Sequence, residues 1–217
     1  MARMKRKDLL KGPDEFVTTT SSALVWIKEH PAQFAAGALI ILCILAGGYG
    51  ISYWKTSREH TAMNEYVKAM EDSQLTLKVA QDFSDTRAGK LAKLRLARMA
   101  FDKGDGRTAL SNANEFMDSW SRKDALHWQA ALIIAGTYIN QKEPAKAVPL
   151  LDECIDSAST DLRDQALFLK ASALITLGKP AEARQILSAV SGNYQELAKV
   201  VTASLGPLPG AKAAIKP

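Results

Sequence analysis

The sequence predicts an all-α protein: a single N-terminal transmembrane helix followed by a right-handed solenoid of helical hairpins. Three observations predict it. Residues 32–54 carry no charge for 23 consecutive positions. Beyond Ser57 the apolar residues follow helical spacing with almost no strand signal. A unit of apolar helix, polar break and alanine-anchored second helix then occurs three times. A chain of 217 residues suits one domain with extensions. At 47% apolar and 24% charged residues, most of it should fold rather than stay disordered.

Residues 1–30 form a basic tail, with Arg3, Lys5, Arg6, Lys7 and Lys11 at its start. Within it, "DEFVTTTSSALVWIKEHP" supplies Ser/Thr caps ahead of Ala23, Leu24, Trp26 and Ile27, which predicts a short juxtamembrane helix ending near Pro31. Residues 31–54 follow as the span. At about 1.5 Å per residue its uncharged run reaches about 35 Å, slightly more than a bilayer's hydrocarbon core. A cleaved signal peptide is the closest competitor, since Ala46-Gly47-Gly48 passes for a small-x-small site. About 30 residues precede the run, however, and an apolar stretch of this length exceeds the 7–15 or so of a signal peptide. The segment therefore reads as an uncleaved anchor.

Orientation follows from the flanks. The first 30 residues hold six Lys/Arg, and the 15 after the span hold three: Lys55, Arg58 and Lys68. The excess places the N-terminus in the cytoplasm and the larger part outside. Trp26 and Phe34 on one side, with Tyr49, Tyr53 and Trp54 on the other, suit the two interfacial aromatic belts. Ala46, Gly47 and Gly50, with Gly48, form a small-residue face on which another membrane helix would fit closely; the plainer reading is that glycine is merely tolerated there.

Residues 55–205 carry the repeats. "LRLARMAFDKGDGRTAL", "IIAGTYINQKEPAKAVPLL" and "ASALITLGKPAEARQIL" align with breaks at Gly104, Lys142 and Gly178. Ala109, Ala147 and Ala183 anchor the second helices, 38 and 36 residues apart, and Ala97, Ala135 and Ala171 recur seven positions before each break. Small side chains are needed where the two helices of a hairpin cross. Pro144 and Pro180 suit a first helical turn. One hairpin cannot bury its own apolar face, so neighbours stack and share a core. Leu94, Leu96, Met99, Phe101, Leu110 and Phe116 serve that core in the first unit, Leu132, Ile133, Ile134, Tyr138, Leu150, Leu151 and Ile155 in the second, and Leu167, Phe168, Leu174, Ile175, Leu177, Ile186 and Leu187 in the third. Pro149 is a misfit, expected to kink the second helix of the middle unit or delay its start. Residues 57–83 read as one long linking helix, "NYQELAKVVTASL" as a capping helix, and residues 206–217 as a flexible tail. The pattern resembles the tetratricopeptide repeat, with tyrosine at its usual place only in the second unit (Tyr138) and without that motif's tryptophan and terminal proline.

The residues carry little that resembles chemistry. His30, His60 and His127 stand on different elements, and no HExxH, CxxC or carboxylate cage appears, so neither a metal nor another cofactor is expected. Cys154 falls where the repeat places a small packing residue and reads as a structural thiol; Cys43 lies in the span, so no bridge between them is expected. "KGDGRT" lacks the preceding strand and terminal Lys-Ser/Thr of a phosphate loop. The formal charge of +5 is mild, with no basic face interleaved with aromatics, which argues against nucleic acid. The protein is expected not to be an enzyme.

Binding is what remains. In stacked hairpins the first helices line a concave groove. Outward positions here are Leu91, Leu94, Arg98 and Phe101, then Gln129, Leu132, Gly136 and Ile139, then Gln165, Phe168, Ser172 and Ile175. Such a groove is apolar with a few amide and cationic handles, suited to a peptide or partner helix. The competing reading is that several of these side chains belong to the core or are covered by the long preceding helix.

The order of parts, with the juxtamembrane "ALVWIKEHP", the Gly/Ala-rich span closing in "YW", the helix "AMNEYVKAM" and "LRLARMAFDKGD", resembles the YfgM-type family of ancillary subunits of the bacterial SecYEG translocon, over roughly residues 23 to 190. The resemblance implies a single-pass protein of the bacterial inner membrane whose periplasmic domain associates with translocon subunits, periplasmic chaperones or nascent secreted chains. Two other readings stay open: an envelope assembly scaffold, for cytochrome maturation, outer-membrane insertion or cell division, and a repeat protein released by signal cleavage.

Overall fold

The computed structural model describes residues 27–206. The basic cluster, the start of the juxtamembrane helix and the segment from 207 onward lie outside the described residues. The chain divides between Ser57 and Arg58 into two compact units.

In the first unit residues 27–29 are helical and His30 interrupts the helix. The residue before proline disfavours helical backbone, which explains the break. Helix α1, Pro31–Lys68, then starts with proline in its first turn, where a missing N–H costs nothing. The His30 carbonyl accepts the Phe34 N–H at 3.0 Å. Leu39, Ile40, Ile41, Leu42, Ile44 and Leu45 each expose between 59% and 67% of their surface. Neighbours about 100° apart on a helix point in different directions, so this exposure runs right round it. A helix that is apolar on every side needs an apolar solvent, and this one is long and apolar enough to cross a membrane.

The second unit is helical throughout, with no strand among the described residues. The remainder of α1 enters it, followed by α2, Ser73–Asp82. Three hairpins follow: α3, Arg87–Asp102, with α4, Gly106–Ser119; α5, Ala125–Asn140, with α6, Pro144–Ser157; and α7, Thr160–Thr176, with α8, Pro180–Ser188. A single 3-10 turn, Gly192–Tyr194, leads into α9, Gln195–Ser204. Each helix packs on the next from α2 to α8, and the first helices of successive hairpins also touch, α3 on α5 and α5 on α7. Local capping sets several starts. The side chains of Asp72, Thr86, Asp105 and Asp124 accept backbone N–H groups of Gln74, Gly89, Thr108 and Leu126 respectively, each cap contributing about 1 kcal/mol.

The six alanines picked out by the repeat spacing are all at 0% exposure. Their size lets the helices approach, and larger side chains fill the space on either side: Phe116 between the first and second hairpins, Leu151 and Trp128 in the second, Leu167, Leu174 and Leu187 in the third.

The three breaks share one geometry. Gly104, Lys142 and Gly178 have φ of 76°, 63° and 75°. At each, the break residue's N–H returns to the carbonyl three residues back, and the next N–H reaches the carbonyl five back, as in Glu143 N to Tyr138 O at 2.8 Å. This is the Schellman closure, which favours glycine because a Cβ is crowded at positive φ. Lys142 holds that conformation with a side chain. Lys142→Gly is therefore expected to stabilise the second unit by about 1 kcal/mol, raising its melting temperature by about 2–4 °C; an unchanged or lower melting point would contradict this account.

Four expectations need correction or refinement. Residues 57–83 are not one helix: α1 ends at Lys68 and α2 begins at Ser73. The turn between them buries Ala69 against Val79, Ala80 and Ala92, and the buried Thr76 hydroxyl donates to the carbonyls of Ala69 and Asp72 at 2.7 and 2.8 Å. Leu177 is not core. It is the C-cap of α7 and is 40% exposed. Pro149 does not delay α6, which starts at Pro144 and runs through it. The ring sits on the exposed side, and Ala145, whose carbonyl loses its N–H partner, is exposed too, so the proline leaves no buried group unsatisfied. The expected capping helix is shorter than its sequence window, because a 3-10 turn takes up Tyr194 before α9 begins.

Candidate functional site

α3, α5 and α7, with Tyr66 near the end of α1, surround a depression of about 680 Å³. Leu91, Leu94, Arg98 and Phe101 of α3, Gln129, Leu132 and Gly136 of α5, and Gln165 of α7 all line it. Leu94 and Leu132 are buried at its floor while Arg98 and Gln129 are exposed at its rim, so one surface serves both core and groove. Ile139 and Phe168 lie elsewhere. Ile139 packs half-buried on the second core cluster. Phe168 packs on the third, with its ring centroid 5.8 Å from that of Tyr194. The third hairpin is followed by the 3-10 turn instead of another hairpin, and Tyr194 on that turn gives Phe168 a partner that Leu94 and Leu132, at the same register, do not have. Ile175 joins the same cluster, and the Ser172 hydroxyl donates to the Phe168 carbonyl at 3.2 Å.

The groove also contains a row that the outward-position rule omits. Arg95, Ile133 and Leu169 each stand nine residues before their break and line the depression. Leu126 and Leu162 extend the lining one turn toward the helix starts. The sequence signal for this row is the spacing of four from Leu91, Gln129 and Gln165, which places both sets on one helix face.

Two charges meet at the rim. Arg98 Nε lies 3.3 Å from Asp102 Oδ1, with its guanidinium 6.0 Å from the Phe101 ring centroid. The edge toward α1 is braced separately. Arg58 donates to Asp85 Oδ1 at 2.9 Å and to the Asp82 carbonyl at 2.8 Å, and sits 5.3 Å over the Phe83 ring. Its hydrogen bonds hold the Asp85 carboxyl below the usual carboxylate range. Glu59 accepts the Arg87 N–H at 2.8 Å, capping α3 from outside. These contacts tie Arg58 and Glu59 to the α2–α3 turn, and Tyr66 packs on the cluster of Ala69, Val79, Ala80 and Ala92.

Two reactive side chains of the second unit, Cys154 and His127, lie in the packed interior. Cys154 is at 0% exposure and burial pushes its thiol up to about 11, so it stays protonated near neutrality and is a poor nucleophile. His127 on α5 is 3% exposed, its ring 5.0 Å from Trp128 in an edge-on contact, and its Nδ1 has no hydrogen-bond partner. Burial, then the nearby Arg122, lower its pKa from 6.5, against weaker opposing effects from the Trp120 backbone and Glu153. The unfolded chain therefore takes up this proton first as pH falls. Stability from the neutral, buried imidazole is complete above about pH 6.5 and is lost below it, with a limiting slope of about 1.4 kcal/mol per pH unit. Thermal melts between pH 7.5 and 5 are expected to show this loss, reduced in His127→Gln; parallel pH profiles would refute it. Among the described residues no group of three His, Cys, Asp or Glu side chains is placed to hold a metal ion.

Stacked hairpins around an open apolar depression define a helical-repeat interaction module, a class that works by binding other proteins along its concave face. The family model for the tetratricopeptide repeat-like domain matches residues 25–206, and the chain belongs to that family. No curated protein and no solved structure matches the chain.

Proposed function

We propose that the chain is a non-enzymatic, membrane-anchored adaptor of the YfgM type. It sits in the bacterial inner membrane with its N-terminus in the cytoplasm and its repeat domain in the periplasm. There it associates with the SecYEG translocon and brings periplasmic chaperones, or the emerging chain itself, to its groove. The observation that carries this reading is the open apolar depression of a tetratricopeptide repeat-like domain in the same chain as a 23-residue uncharged run. The excess of Lys/Arg before the run supports the orientation. Ala46, Gly47 and Gly50 supply a small-residue face on which a neighbouring membrane helix fits closely.

Co-purification from gently solubilised membranes tests the reading. Translocon subunits or a periplasmic chaperone are the expected partners, and the reading fails if neither is recovered. A partner set from cytochrome maturation, outer-membrane insertion or division supports the scaffold alternative instead. The mass of the mature chain decides the remaining alternative, because loss of the first 48 or so residues would mean cleavage near Ala46-Gly47-Gly48.

A further inference from the structure

We infer that the groove takes an amphipathic helix carrying one acidic side chain, which pairs with Arg95; this rests on the groove being a docking site. Arg95 is half-buried, its Nε is fully buried without a hydrogen-bond partner, and it has no ion-pair partner among the described residues. Its neighbours on α3 are satisfied: Arg98 pairs with Asp102 at 3.3 Å, and Lys93 with Glu115 at 2.8 Å. Burying one guanidinium nitrogen without a partner is costly, and a carboxylate delivered by a ligand to the terminal nitrogens offsets that cost with two parallel hydrogen bonds.

Position in the repeat gives the site a direction. Arg95, Ile133 and Leu169 occupy one row across the groove, so the row is cationic on α3 and apolar on α5 and α7. The complementary ligand presents its acid to α3 and apolar side chains to the other two helices. A helix fits this lining better than an extended segment. A buried five-residue strand brings about ten backbone donors and acceptors, all needing partners. The uncharged polar side chains in the lining are only Gln129, Gln165 and Tyr66. A helix satisfies its own backbone and asks the groove only for apolar contact and one charge. Residues 207–217 of the chain itself do not meet the description, having Lys212 and Lys216 but no Asp or Glu.

The test displays a library of 16-residue helices to the full chain in nanodiscs. Apolar residues are kept at i, i+3, i+4 and i+7, and the flanking positions are randomised. Expected is enrichment of Asp or Glu at one flanking position, lost with Arg95→Gln and turned toward Lys or Arg with Arg95→Glu. The best selected peptide should bind Arg95→Gln about tenfold more weakly, while its own Glu→Gln version loses nothing further on that variant. Gln129→Trp, an exposed rim position, should block every selected peptide, with unchanged melting of all three variants excluding misfolding. Selection of helices with no acidic preference, all blocked by Gln129→Trp, overturns the Arg95 pairing and leaves the groove as a docking site. No enrichment over Gln129→Trp overturns both. Self-association of the free chain that Gln129→Trp abolishes makes a second copy the occupant and also overturns the proposal.

Discussion

Phe116→Ala is expected to cost the repeat unit about 3–5 kcal/mol, lowering its melting temperature by about 10 °C. Phe116 is at 0% exposure on α4, within the cluster formed by Ala97, Ala100 and Ala113 of the first hairpin with Ile133 and Ile134 of the second. Its ring stacks on Trp120 at 4.9 Å, and Arg87 lies 5.2 Å over the other aromatic, so truncation leaves a cavity and unseats the α4–α5 corner as well. Repeat arrays are stabilised by each unit and by its contacts with neighbours. Amide exchange should therefore accelerate first in α3, α4 and α5, while α7 and α8, held by the separate Leu167–Leu187 cluster, keep most of their protection. Phe116→Leu should recover more than half of the loss. A melting shift under about 2 °C for the alanine variant would mean that the hairpins do not share a core at this junction.

How much of this was readable in advance depends on how local each cause is. The alanines at helix crossings and the three breaks recur at fixed spacing because sterics act on them within one hairpin. Alignment alone therefore identified Lys142 as a break residue although lysine carries no turn signal of its own. The turn at residues 69–72 was missed for the opposite reason. No glycine or proline marks it, apolar spacing continues through it, and what closes it is the burial of Ala69 against α2 and α3, a tertiary effect. Asp72 ahead of Ser73 was the local clue, as an N-cap. The groove was partly legible. Counting outward positions found Leu91, Gln129 and Gln165, whose place follows from helix period. It placed Phe168 among them because nothing local announces that Tyr194 folds back onto it. It passed over Arg95, since a cation in an apolar row looks like an ordinary solvated residue until the burial of its Nε is seen.

On the proposed reading of α1 as a membrane anchor, replacing both Leu42 and Leu45 with arginine is expected to remove the chain from the membrane. Leucine and isoleucine at mid-span each favour insertion by about 0.3–0.6 kcal/mol, whereas an arginine there disfavours it by about 2.5–3.5 kcal/mol. Leu39, Ile40, Ile41, Leu42, Ile44 and Leu45 together then supply about 2–4 kcal/mol toward insertion, and the double replacement reverses that by about 6–8 kcal/mol. One arginine is a weaker test, because its long side chain reaches toward the interface and local thinning of the bilayer lowers its cost. Two adjacent turns of the helix leave no such escape, since both replacements sit close to the middle of residues 32–54. Alkaline carbonate extraction should move the double variant from pellet to supernatant, while Leu42→Ala with Leu45→Ala stays in the pellet. The repeat domain should melt as in the parent, because among the described residues none of its core lies before Arg58. A double-arginine chain that still resists extraction would show that something other than this helix holds the protein to the membrane.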